Sequence, residues 1–277
     1  MNNPRLGSIT IAIAVLFSLT SISFAQDVEQ KMGGFNIEGF DKEGSVSWDV
    51  YGDTADIMGS KIKLTNVNAN SYGENKVNVV AETGTIDQES GNLVLREDVI
   101  ITSEEGVQLI TDELDWDRNE DLVSTEDDVV ITDDKFTASG EGMKAKPGLK
   151  NAQIEKNVTV RVDTSKEEEQ EDYVMITSDG PMTINQLENK AVFEDNVVAV
   201  QTDRTLKADR LEVYFTENME DIKEIICIGN VEIQQGENQS FAEKAIYNAT
   251  EQKLVLMGRP KLRMNSSMGN GTTAFRN

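Results

Sequence analysis

Five copies of one short element, an Asx residue followed by valine and an alternating aliphatic segment, constrain this chain. They are Asp98-Val99-Ile100-Ile101, Asp128-Val129-Val130-Ile131, Asn157-Val158-Thr159-Val160, Asn196-Val197-Val198-Ala199-Val200 and Asn230-Val231-Glu232-Ile233. From Val99 the valines follow at steps of 30, 29, 39 and 34 residues. A second element, apolar-x-small-Asp-x-Leu-x-aromatic, stands at Leu109 to Trp116 and again at Leu206 to Tyr214, with a degraded copy at Phe241 to Tyr247. Apolar side chains at every second position fall on one face of a pleated strand. The stretch Val99 to Val130 states the unit once in full, as a half-buried hairpin that cannot cover its own apolar face. It must stack on copies of itself, which predicts a repetitive and almost wholly β chain.

In chain order, residues 1–25 read as an export signal with Arg5 ahead of the apolar run Ile9 to Phe17, either cleaved after Ala25 or kept as an N-terminal membrane anchor. Residues 26–43, with Gly33-Gly34, read as a flexible lead-in. Strands then fill 44–162, where Gly140 and Gly142 predict a bulge or a close backbone approach. The segment 163–172 (DTSKEEEQED) has seven charged residues in ten and no apolar side chain, so it is expected as a solvated linker between two domains. The pattern restarts over 173–264, and the polar tail 265–277 is expected to be disordered.

Lys and Arg number 26 against 50 Asp and Glu, a formal charge of −24. Such a chain repels nucleic acid. Histidine is absent, which removes the commonest general base, and with a single cysteine there is no usual zinc ligand set. Cys227 lies in the apolar run Ile225-Ile226-Cys227-Ile228 and reads as a buried small hydrophobe. Acidic turns such as Glu126-Asp127-Asp128 and Asp133-Asp134 read as solvated, with calcium as the alternative. Asp115 and Asp117 share a strand face, so a polysaccharide-cleaving carboxylate pair is conceivable, and a secreted β-solenoid adhesin is a further alternative. The inward residues either fill a core or leave a groove for an acyl chain.

Several stretches resemble known families when taken in order. Gly52-Asp53-Thr54-Ala55-Asp56, Gly91 to Val99, Leu109 to Asp117 and Val129 to Gly142 resemble the LptC family of periplasmic lipopolysaccharide transport proteins. Thr177-Ser178-Asp179, Phe193 to Val197, Leu206 to Leu211 and Cys227 to Val231 resemble the LptA or OstA-like family. The resemblance implies an open, twisted antiparallel β-jelly roll, with two consecutive domains stacked end to end. It implies a non-enzymatic periplasmic bridge, without cofactor, that passes lipopolysaccharide acyl chains from the inner toward the outer membrane. The implied groove lining is Val99, Ile101, Leu109, Leu114, Trp116, Val129, Ile131, Phe136, Val158, Val197, Leu206, Leu211, Val231, Ile233 and Phe241. The implied partners are lipopolysaccharide through its lipid A acyl chains, an inner-membrane ABC transporter, an outer-membrane translocon joined by edge-strand pairing, and further copies of the chain head to tail. Two such domains on one chain depart from the usual arrangement of separate proteins.

Overall fold

The computed structural model describes residues 30–40, 44–72, 76–134, 136–146, 151–163, 173–217 and 221–264. The first half holds β1 (Gln30–Phe40), β2 (Val46–Met58), β3 (Lys61–Ser71), β4 (Val77–Asp87), β5 (Leu93–Ser103), β6 (Gln108–Asp117), β7 (Leu122–Thr132), β8 (Phe136–Lys146) and β9 (Asn151–Asp163). The second holds β10 (Tyr173–Ser178), β11 (Met182–Asn185), β12 (Lys190–Gln201), β13 (Arg204–Phe215), β14 (Ile222–Gln235), β15 (Asn238–Asn248), β16 (Lys253–Met257) and β17 (Lys261–Arg263). Strands pair antiparallel with their sequence neighbours from β1 to β9. This is an open jelly-roll meander. The antiparallel order also excludes a β-solenoid, whose stacked coils pair in parallel.

The hydrophobic alternation is interrupted near the middle of the long strands, by a one-residue slip in some and by two inserted outward residues in others. In β3, Ile62 and Leu64 are buried, then Val67 and Ala69, with Asn66 between them at φ +49°. In β5, Leu93 and Leu95 are followed by Val99 and Ile101, with Glu97 and Asp98 inserted at φ +64° and +53°. The pairing jumps there from Arg96↔Glu113 to Val99↔Thr111. Asn157, Asn196 and Asn230 take the same left-handed backbone in β9, β12 and β14. Asn and Asp tolerate this region better than other side-chain-bearing residues, and a bulge bends its strand. Each long strand is therefore folded at a corner into two arms, and both arms turn their apolar side chains to one shared interior. The Asx of the sequence repeat is this corner at Asp98, Asn157, Asn196 and Asn230, while Asp128 sits at the register jump of β7 without a left-handed backbone. Gly140 fits the same device, because a Cβ there would meet the carbonyl oxygen of Lys156 at 2.9 Å and the Ile154 methyl at 2.4 Å.

Most corner asparagines hold the corner of the adjacent strand. The Asn157 amide donates to Glu141 at 3.2 Å, Asn196 to Asp179 at 2.7 Å and Asn230 to Asp209 at 2.9 Å. Asn66 donates in the same way to Asp53.

Two expectations are revised by the strand assignment. Part of the expected flexible lead-in is β1: Phe35 and Ile37 alternate inward against β2, and Gly34, at φ +61°, is a corner rather than a loop. The acidic segment interrupts the chain but not the sheet, since β9 pairs with both β10 and β11, from Asp163↔Tyr173 to Asn151↔Asn185. Residues 164–172, the export segment 1–25 and the tail 265–277 lie outside the described residues.

Asn230→Val places a β-branched residue in the left-handed region and is expected to lower stability by about 1–2 kcal/mol. Asn230→Gly should change it much less. Leu64→Ala, deep in the interior, is expected to cost about 2–5 kcal/mol. Equilibrium urea unfolding measures all three.

Candidate functional site

The interior between the two arms is the largest apolar feature of the fold. Val99, Ile101, Leu109, Leu114, Trp116, Val129, Ile131, Phe136, Val158, Val197, Leu211 and Val231 are all buried there. Leu206 and Ile233 are half-buried and packed on the same core. Phe241 is not among them: its cross-strand partner is Glu232, on the outward face, and the Arg263 guanidinium lies over its ring at 5.1 Å. The corner slip in β15 explains this, because Ala242 and Ala245 both turn inward although alternation alone would oppose them.

The two halves differ in how well this interior is filled. In the first, Leu64, Val99, Val123 and Val129 are at most 2% exposed, and the hydroxyls of Thr111 and Thr125 satisfy each other at 3.3 Å. The indole N–H of Trp116 is buried there without a hydrogen-bond acceptor among the described residues. In the second half, starting at the seam, the layers enclose a cavity of about 250 Å³. One wall carries Phe136, Val160 and Ile176, and the other Ile184, Phe193 and Val213. Gln186 is its one polar lining side chain. Sequence reading missed Ile176, Ile184 and Val213, although each lies in an alternating run that could have flagged it.

The ends of the interior also differ. At the β1 edge Phe35 is buried, and Trp48 lies over Gly39 so closely that a Cβ there would meet the indole at 2.1 Å. At the other edge Leu254 and Leu262, in the cross-strand rows of Ile225 and Ile233, are 49% and 67% exposed. Among the described residues β1 pairs only with β2, and β16 and β17 only with β15.

Several ionisable groups have partners within the fold. Asp117 accepts the backbone N–H groups of Asn119 and Glu120 at 2.9 and 3.1 Å, capping its turn rather than facing a substrate beside Asp115. Asp115 is held above the usual carboxylate range by desolvation and by Glu113 beside it. Burial pushes the Cys227 thiol up to about 12, which makes it inert. Glu212 lies between the cavity-lining Leu211 and Val213 but faces outward. It accepts from the Tyr214 hydroxyl at 2.8 Å and from Arg210 at 2.9 Å, and pairs with Lys190 at 3.2 Å. Burial pushes its carboxyl up, but these three donors together outweigh burial and hold it below the usual glutamate range. Among the described residues no three Cys, Asp or Glu side chains converge as a metal site, and no helix is long and apolar enough to cross a membrane.

Residues 13–163 match the family model described as "Lipopolysaccharide-assembly, LptC-related". Residues 175–274 match the model described as "LptA/(LptD N-terminal domain) LPS transport protein". Among solved structures the chain is similar to LptH from Pseudomonas aeruginosa, described as the LptA homologous periplasmic component of the conserved lipopolysaccharide transport device. The identity is 12%, covering 68% of this chain and 94% of that chain, with a TM-score of 0.21. No curated protein matches the chain.

Because its folded-state pKa is depressed, Glu212 contributes stability above its unfolded value near pH 4.3, and loses it as pH falls through the folded value. Glu212→Gln is expected to cost about 1–2 kcal/mol at pH 7 and to flatten the decline in stability below about pH 4.5, read from thermal melts across pH.

Proposed function

The chain belongs to the LptC-related lipopolysaccharide-assembly family, and on that premise we propose that it is a component of a periplasmic lipopolysaccharide-transport bridge. In this reading the interior shelters lipid A acyl chains and passes them toward the exposed edge at β16 and β17. The observation that carries it is the cavity at the seam, walled by aliphatic and aromatic side chains of both arms, in an interior whose apolar rows run uncovered to one edge. Burying each methylene contributes about 0.8 kcal/mol, enough for several chains without any charged contact. The cavity, at about 250 Å³, falls below the ~300–1,000 Å³ of ordinary ligand pockets. A lipid with several chains therefore enters by parting the layers.

The two edges suit β-augmentation, with the inner-membrane transporter side at β1 and an outer-membrane-directed partner or a second copy at the other edge. Carrying an LptC-like half and an LptA-like half in one continuous sheet, the chain would replace one of the joints usually made between separate proteins. The N-terminal segment would deliver it to the periplasm or hold it at the inner membrane.

A photoreactive residue at Ile184 or Val213 is expected to capture lipopolysaccharide, and one at the outward Lys207 or Glu232 is not. Equal capture at both sets, or at neither, would refute the reading. Ala199→Trp, which fills the cavity, is expected to lower capture at Val213 several-fold while leaving the fold intact by circular dichroism.

A further inference from the structure

The outward face of the first half departs from the rest of the sheet in two ways at the same place. One cross-strand row on that face, adjacent to the corner, reads Tyr51, Asn68, Val80, Ile100, Ile110, Val130 and then Ser139 on successive strands β2 to β8. Tyr51, Val80, Ile110 and Val130 are 44%, 37%, 40% and 38% exposed. The row continues as Thr159, Thr177, Val198, Lys207 and Glu232, so its aliphatic run is centred on β4 to β7.

The corner changes on those same four strands. Elsewhere a corner Asn donates to an acid on the adjacent strand, as in Asn66–Asp53, Asn157–Glu141, Asn196–Asp179 and Asn230–Asp209. On β4 with β5 the corresponding residues are Glu82 and Asp98, and on β6 with β7 they are Asp112 and Asp128. All four are exposed, and among the described residues none pairs with a basic side chain. Glu97 crowds the same corner and hydrogen-bonds Glu82, holding that carboxyl above its usual range.

A groove of about 530 Å³ joins the two rows, lined by Tyr51, Val80 and Ile100 on one side and by Asp53, Glu82 and Asp98 on the other. Gly34 at its end leaves it open, since a Cβ there would meet nothing within 4 Å.

We propose that the outer corner of β4 to β7, with this groove, docks an amphipathic polypeptide segment of a partner that carries Lys or Arg beside its apolar face. The aliphatic stems of those residues lie on Val80, Ile100 and Ile110, and their charged heads reach Glu82, Asp98 and Asp112. Tyr51 offers a ring face to a cation at the groove's end. The patch spans three strand spacings, about 14 Å, which a helix of about 10 residues covers. An anionic lipid surface is disfavoured by the same acids. The proposal does not depend on the interior carrying lipid.

The full chain is titrated with a fluorescein-labelled Lys–Leu amphipathic peptide at physiological salt. Asp98→Asn with Asp128→Asn restores the corner pattern of the other strands, and is expected to keep or raise the melting temperature while weakening the peptide about tenfold. Val80→Ser with Ile110→Ser is expected to weaken it by a similar factor. Glu188→Gln with Glu251→Gln, which removes the same charge from distant turns, should leave affinity within about twofold. Equal losses in the distant pair, or no loss in either corner pair, would overturn the proposal. So would binding of anionic or zwitterionic vesicles that is abolished by Val80→Ser with Ile110→Ser, which would assign the patch to a membrane surface.

Discussion

Everything in this fold depends on the long strands turning a corner near their middle, which β3, β5, β9, β12 and β14 do through a left-handed Asn or Asp. A straight pleated strand offers one apolar and one polar face, and a sheet of such strands has nothing of its own to cover the apolar side. The corner at Asn66, Asp98, Asn157, Asn196 or Asn230 folds the strand on itself. At Asn66 the alternation slips by one residue, and at Asp98 an outward pair, Glu97 and Asp98, interrupts it, so both arms stay apolar toward the same side. Corners of this kind, repeated along the sheet, thus turn it into a two-layered trough. The latch between a corner amide and its neighbour's carboxylate keeps adjacent corners in line.

A trough built in this way has no fixed width. Its layers are continuous only through the corners, and their inner faces meet through aliphatic contacts that have no directional preference. Where side chains interlock, as around Val99 and Val123, the interior is closed. Where the strand between β9 and β12 is broken by Asp179-Gly180-Pro181 into β10 and β11, the interior opens into the cavity beside the seam. The break relieves the need for every strand to fill its share of the space. Alkyl chains can take the place of side-chain contacts in either region, because burial is rewarded by area and not by partner.

Much of this was legible in the sequence. Alternation located the strands, and the repeat steps located their copies, because a one-residue error in register would expose every aliphatic side chain. The buried state of Val99, Leu114, Val158 and Val197 follows from that rule alone. What the rule could not supply was the corner. Asp98 and Asn230 read only as the Asx heading a repeat, since a left-handed residue inside a strand leaves no mark beyond its preference for Asn, Asp or Gly. Phe241 was misplaced for the same reason: period-two counting fails across a slip. Gly33-Gly34 read as a loop because two glycines weaken any strand, and only pairing with β2 makes β1 hold. The cavity depends on how side chains from distant strands fail to fill a volume, which no local pattern encodes.

The placement of the unlatched corners bears on how the closed half could open. The asparagine latches are missing on β4 to β7, above Val99, Leu109 and Val129, where the interior is best packed. At Glu82 and Glu97 two carboxyls crowd one corner, so the charge there opposes the bend that the backbone imposes. No asparagine–carboxylate latch opposes parting the layers in this region, leaving the loss of apolar contact as the main cost. That cost is the one an alkyl chain repays on entering. In the second half the latches at Asn196 and Asn230 hold the corners beside the cavity. The asparagine latches thus stand where the interior is open and are absent where it is most tightly packed.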